Sequence, residues 1–137
     1  MIKIPRNDLI VMMEGGYIYL RMGRFEEARE IFEGVAVLAP KSEVPLVALG
    51  SVFFGQMKYD QAAKVYKKAV ALRPESAFAH AYMGEILFFK GRKEEALDEL
   101  HKASSLDDEG SQGGLFARTL LDAIQNGFVP PGQVVHH

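Results

Sequence analysis

The residues of this chain that could do chemistry are few and dispersed. His80 and His101 are the only internal histidines. A histidine metal site on a helix needs them three or four positions apart with a third ligand nearby, and neither is so placed. Glu14 and Glu85 are carboxylates of the type used for acid–base work, but they stand apart on different first helices with no evident partner. Ser104 and Ser105 have no base at a fixed spacing that would make either a nucleophile. Gly110-Ser-Gln-Gly-Gly114 is rich in glycine but lacks the Lys-Ser/Thr that completes a phosphate cradle, so it reads as a flexible linker. His136 and His137 are expected to be two flexible imidazoles, a poor metal site, and read as a tag remnant or a loose native end. There is no cysteine, which removes disulfides, thiolate nucleophiles and thiolate metal sites together and agrees with a reducing compartment. The residues therefore predict no catalytic site, no metal and no cofactor.

The elements that carry these residues are organised by a repeat. Pro40 and Pro74 lie 34 residues apart. The same interval separates Gly16, Gly50 and Gly84; Ala28, Ala62 and Ala96; Phe32, Tyr66 and Leu100; and Val35, Ala69 and Ala103. Three units follow, at about 9–42, 43–76 and 77–110. Apolar spacing predicts two helices in each: Asn7 to Met22, Phe25 to Leu38, Val44 to Gln56, Tyr59 to Leu72, Ala77 to Lys90 and Lys93 to Leu106. A seventh, from about Gln112 to Asn126, carries Leu115, Leu120, Leu121 and Ile124 near one face and would cap the last repeat. Gly127 stops it, and Phe128-Val-Pro-Pro131 cannot be helical. The expected organisation is one domain over 1–126 followed by an extended or disordered tail over 127–137.

A 34-residue period with this order of Gly, aromatic, Ala and Pro resembles the tetratricopeptide (TPR) repeat family. The resemblance implies an all-α fold, a right-handed superhelix of helix-turn-helix repeats. Each glycine column allows close approach of paired helices, and Phe25 and Tyr59 fill the wedge between them. Gly23 and Gly91 suit the turn within a repeat. Met57, Lys93 and Asp108 depart from the pattern at the turn, the wedge and the terminal proline. His80 stands where the family has a bulky aromatic, so it reads as a packed core residue.

In that family the first helices line the concave surface. The inner-face positions are Ile10, Met13, Tyr17, Leu20 and Arg21 in the first repeat; Val44, Val47, Ser51 and Phe54 in the second; and Phe78, Ala81, Glu85, Phe88 and Phe89 in the third. This face is apolar and aromatic. Arg21 is its only cation, which disfavours gripping a chain-end carboxylate and favours an extended segment that inserts apolar side chains. Phe54, Phe88 and Phe89 are expected to be exposed there. The second helices carry mixed charge and a short strip of Lys64, Lys67 and Lys68, and read as solvated backs.

Three repeats followed by one amphipathic helix also resemble the TPR chaperones of bacterial type III secretion, which hold translocator or needle subunits in the cytoplasm. The carrying residues are Phe32-Glu-Gly-Val-Ala-Val-Leu38, Leu46-Val-Ala-Leu-Gly50, Gln56-Met-Lys-Tyr-Asp60 and Leu120-Leu-Asp-Ala-Ile124. The expected partner is a protein or peptide client with an apolar extended segment. The alternatives are an adaptor module of a larger complex and a homodimer in which the tail enters a neighbour's groove. A net charge of −2 gives no footprint for nucleic acid. No secretory leader is legible at the N-terminus, and no apolar run is long enough to span a membrane.

Overall fold

The computed structural model describes residues 6–106 and 112–132. The described residues form seven helices: α1 (Arg6–Arg21), α2 (Phe25–Leu38), α3 (Val44–Gly55), α4 (Tyr59–Leu72), α5 (Ala77–Phe89), α6 (Lys93–Leu106) and α7 (Gln112–Gln125). There is no strand among them. They divide into two compact units, Met1–Leu72 and Arg73–His137.

In the first unit α1 pairs with α2 and α3 with α4, and α2 also packs on α3. The pairing follows from the repeated columns. Gly16 lies against the Phe32 ring and Gly50 against the Tyr66 ring, so closely that an added Cβ would overlap either ring. Phe32 and Tyr66 are fully buried, each worth roughly 1.5–3 kcal/mol of burial. Phe25 fills the wedge at the far end: its ring covers Gly55, where a Cβ would come within 2.8 Å of Phe25 Cε1. Pro45 starts α3, where its missing N–H costs nothing.

The second unit repeats the scheme with α5 on α6, and adds α7 against both. Ser76 caps α5 by accepting from the Ala79 N–H at 3.1 Å. Leu100 takes the place of the ring, and a Cβ on Gly84 would meet Leu100 Cγ at 2.7 Å. The amphipathic stripe of α7 differs from the sequence expectation. Its buried residues are Gly113, Gly114, Ala117, Leu120 and Ile124, with Leu121 packed beside them, whereas Leu115 is exposed. Gly113 and Gly114 are thus not linker. They form the first turn of α7, and a Cβ on Gly113 would strike the backbone of Ala77 and Phe78. Ser111 and the acidic run 107–110 before it lie outside the described residues, as do the terminal histidines.

The turn within each repeat has one construction. Gly23, Met57 and Gly91 all have positive φ, at 75°, 62° and 80°. Each donates its N–H back to a carbonyl three residues earlier, and the next residue donates to one five earlier, as in Arg24 N–H to Tyr19 O at 2.9 Å. Met57 holds this left-handed geometry without being glycine. Gly127 ends α7 in the same manner, with Phe128 N–H donating to Ala123 O at 2.9 Å. The first residues of the tail are therefore placed. The Phe128 ring stacks on Phe88 at 5.7 Å between centroids and lies 6.5 Å from Phe89.

The outer helices are solvated backs. Arg24–Glu27, Arg29–Glu33 and Arg92–Glu95 pair within a turn at 2.8, 2.7 and 3.1 Å. Such exposed pairs contribute little stability. Among the described residues no helix is long and apolar enough to cross a membrane.

Candidate functional site

An apolar hollow of the first unit lies beside α1. It has a volume of about 530 Å³. Leu9, Ile10, Met13 and Tyr17 form one wall, a stripe at helical spacing. Val35 and Ala39, from the end of α2, form its floor, and Ser42, Val44 and Pro45 close it where the chain enters α3. Arg6 and Glu14 stand at its rim. Ile10 is 47% exposed and Val44 38%, so apolar surface remains open to a partner. A smaller hollow of about 260 Å³ continues along α1, lined by Glu14, Tyr17, Ile18 and Arg21. Glu14 and Tyr17 border both, so the two form one track on α1.

The other inner-face residues of this unit divide by burial. Leu20 is half-buried and packs on the core of Ala28, Phe32, Ala48 and Val52. Val47 is fully buried and belongs to the core, so it has no surface to offer a ligand. The Ser51 hydroxyl donates to Val47 O at 3.1 Å and shares a 3.0 Å hydrogen bond with the Tyr66 hydroxyl, so it serves the α3–α4 pairing. Phe54 is half-buried and meets the Tyr59 ring at 5.5 Å. Arg21 is exposed.

In the second unit the inner face is more closed than the sequence suggests. Ala81 is fully buried and Phe88 is 4% exposed. Phe88 is therefore not an exposed groove residue, because Phe89 and Phe128 flank it and α7 completes the core around it. Phe89 is half-buried. Phe78 is half-buried and edge-on to Tyr82 at 5.1 Å, and Tyr82 stacks on Phe116 of α7 at 4.9 Å. Glu85 is half-buried, and burial pushes its carboxyl up to about 7. Tyr82 is raised as well, first by burial and then by the Glu85 charge.

His80 is a satisfied core residue, 5% exposed. Its Nε2–H donates to Pro74 O at 2.7 Å, and Nδ1 meets Glu99 Oε2 at 2.5 Å. His101 and Asp98 line an open hollow beside it. Among the described residues no group of three or more His, Cys, Asp or Glu is placed to hold a metal ion.

Leu9, Val35, Ala39, Ser42 and Pro45 were outside the sequence-derived site. Leu9 continues the Met13–Tyr17 stripe one turn earlier and was legible from spacing. Pro45 stands in the first turn of α3, and the other three lie at the end of α2 and in the connection between repeats. Reading only the first helices for an inner face passes over them.

The sequence matches a family profile described as "TPR repeat" over residues 50–91 and one described as "Tetratricopeptide repeat" over residues 14–42, together just over half of the chain. No curated protein sequence matches it significantly. Similar solved structures include SycD, the type III secretion translocator chaperone of Yersinia enterocolitica. It is 21% identical, with a TM-score of 0.75 over 88% of this chain and 92% of SycD. PcrH of Pseudomonas aeruginosa, solved in complex with the chaperone binding region of PopB, is 15% identical, with a TM-score of 0.71 over 88% of this chain and 99% of PcrH. The first TPR of Spaghetti, bound to an HSP90 peptide, is 22% identical, with a TM-score of 0.67 over 91% and 99%. At these identities the likeness is one of fold.

Proposed function

Because this chain belongs to the tetratricopeptide-repeat family, we propose that it is a non-catalytic scaffold that holds an extended apolar segment of another protein in the α1 cleft, as a chaperone of a type III secretion translocator. The observation that carries this reading is the apolar lining of that cleft, with Ile10 and Val44 exposed at its mouth. Contiguous exposed apolar surface marks a site of interaction with another chain or ligand. An apolar hollow with few polar groups suits side chains inserted from an extended peptide. SycD has been solved with a peptide of the translocator YopD, and PcrH with a region of PopB, so the same fold accepts such segments elsewhere. This reading places the chain in the cytoplasm, where a client awaiting export would aggregate without cover.

The test is affinity capture from the cytosol of the source organism, followed by peptide mapping of what is retained. The wild-type chain is expected to retain a client through an apolar stretch. Met13→Glu puts a charge into the cleft and is expected to abolish retention while helix content by circular dichroism stays the same. Tyr17→Ala is expected to weaken it. Unchanged retention by both variants would sink the assignment of the cleft.

A further inference from the structure

The track along α1 is bordered by two charges, Glu14 and Arg21. Glu14 and Arg21 are both exposed, and neither forms an ion pair or side-chain hydrogen bond among the described residues. The arginines of the outer helices and their flanking turns differ from Arg21. Arg24, Arg29, Arg73 and Arg92, on the outer helices and their flanking turns, are each paired with a glutamate of their own segment. On α1 the acid and the base instead lie seven residues apart. That spacing places them on one face, about 10.5 Å apart along the axis, too far to pair with each other. Tyr17 lies between them, and the apolar cleft opens on the Glu14 side.

We propose that Glu14 and Arg21 read the charge order of the bound segment. Resting on the peptide-holding role above, the proposal gives that segment a definite chemistry. An apolar side chain enters the cleft of Leu9, Met13 and Val44, a basic side chain next to it meets Glu14, and an acidic side chain three residues further on meets Arg21. The interval follows from chain geometry. In a polyproline-type extended segment, residues three apart sit on the same side, about 9.3 Å from one another. A β-strand presents same-face side chains at about 6.6 or 13 Å, which fits the 10.5 Å interval less well. The full track, from Arg6 to Arg21, is about 22 Å long and accommodates about seven extended residues.

The experiment is selection of random decapeptides displayed against the full chain and against the charge-exchanged double variant Glu14→Lys/Arg21→Glu. The wild type is expected to enrich an apolar residue beside a basic one, with an acidic residue three positions beyond. The double variant is expected to enrich the reverse charge order beside the same apolar residue. Against the best wild-type peptide, either single substitution is expected to weaken binding by roughly threefold to tenfold, and less at high salt. Apolar peptides enriched without charge order, or the same order for both proteins, would overturn the charge reading and leave the cleft assignment standing. Failure to enrich any peptide, or enrichment unaffected by Met13→Glu, would overturn the cleft assignment and the charge reading with it.

Discussion

Met57 holds a φ of 62° at the position where its counterparts Gly23 and Gly91 sit in the same turn. A side chain in the left-handed region costs about 1–2 kcal/mol, whereas glycine gives back roughly half of that through its greater freedom when unfolded. Met57→Gly is therefore expected to stabilise the protein by about 0.5–1 kcal/mol, measured as a rise of a few degrees in thermal midpoint. The methionine is 75% exposed, so no packing is lost. A second residue-scale effect belongs to Glu85. Its carboxyl is raised from 4.5 to about 7 by burial, so the folded state prefers it protonated. Its contribution is fully present below about pH 4.5 and is lost as pH rises through 7. Glu85→Gln is expected to leave stability unchanged near pH 4.5 and to raise it by roughly 2–3 kcal/mol at pH 8, by urea titration at both pH values. The sequence presented Glu85 as an inner-face acid. Its altered protonation was not legible, because that depends on how completely the surroundings exclude water.

Among the elements, helix ends were legible to within a residue, since the same Gly, Ala and ring columns fix each helix pair. The error lay in α7. Leu115, Leu120, Leu121 and Ile124 predicted the buried stripe, but Leu115 faces out and the two glycines face in. The reason is distance. α7 crosses α5 so closely at Gly113 that the Phe78 and Ala77 backbone leaves no room for a Cβ. A glycine pair beside a serine and acids looks like a linker in sequence, and only the crossing reveals it as a contact surface. Gly113→Ala is expected to destabilise the second unit by about 1–3 kcal/mol through this overlap, whereas Leu115→Ala is expected to be within about 0.5 kcal/mol of wild type. Chemical denaturation of the two variants side by side checks both. The candidate site shows the same limit. Ile10, Met13 and Tyr17 were found by helical spacing, but Phe88 was misplaced because the residue that covers it, Phe128, lies in what reads as a tail.

At the scale of the whole molecule, the two compact units are built differently. The first has its cores between successive helix pairs. The second adds a third helix to its core, and the Phe128 ring stacks on Phe88 beyond it. Phe128→Ala is expected to cost about 1–2 kcal/mol, since the ring is only partly buried. Hydrogen exchange followed by mass spectrometry is expected to show protection lost in α5 and α7 and kept in α1 to α4. Uniform loss across all seven helices would mean that the chain opens as a single cooperative unit.

The Phe128 contact also bears on how the protein is made. Synthesis proceeds from the N-terminus, and segments fold as they leave the ribosome. The first unit is fully emerged once Leu72 is out, so it can close while the rest is still being added. The second closes over α5 only after α7, and then the Phe128 ring on Phe88, have emerged, and until then the apolar face of α5 stays uncovered. Between those two points the nascent chain carries one finished half and one sticky half. That is the interval in which a waiting client segment, or a second nascent chain, would meet it.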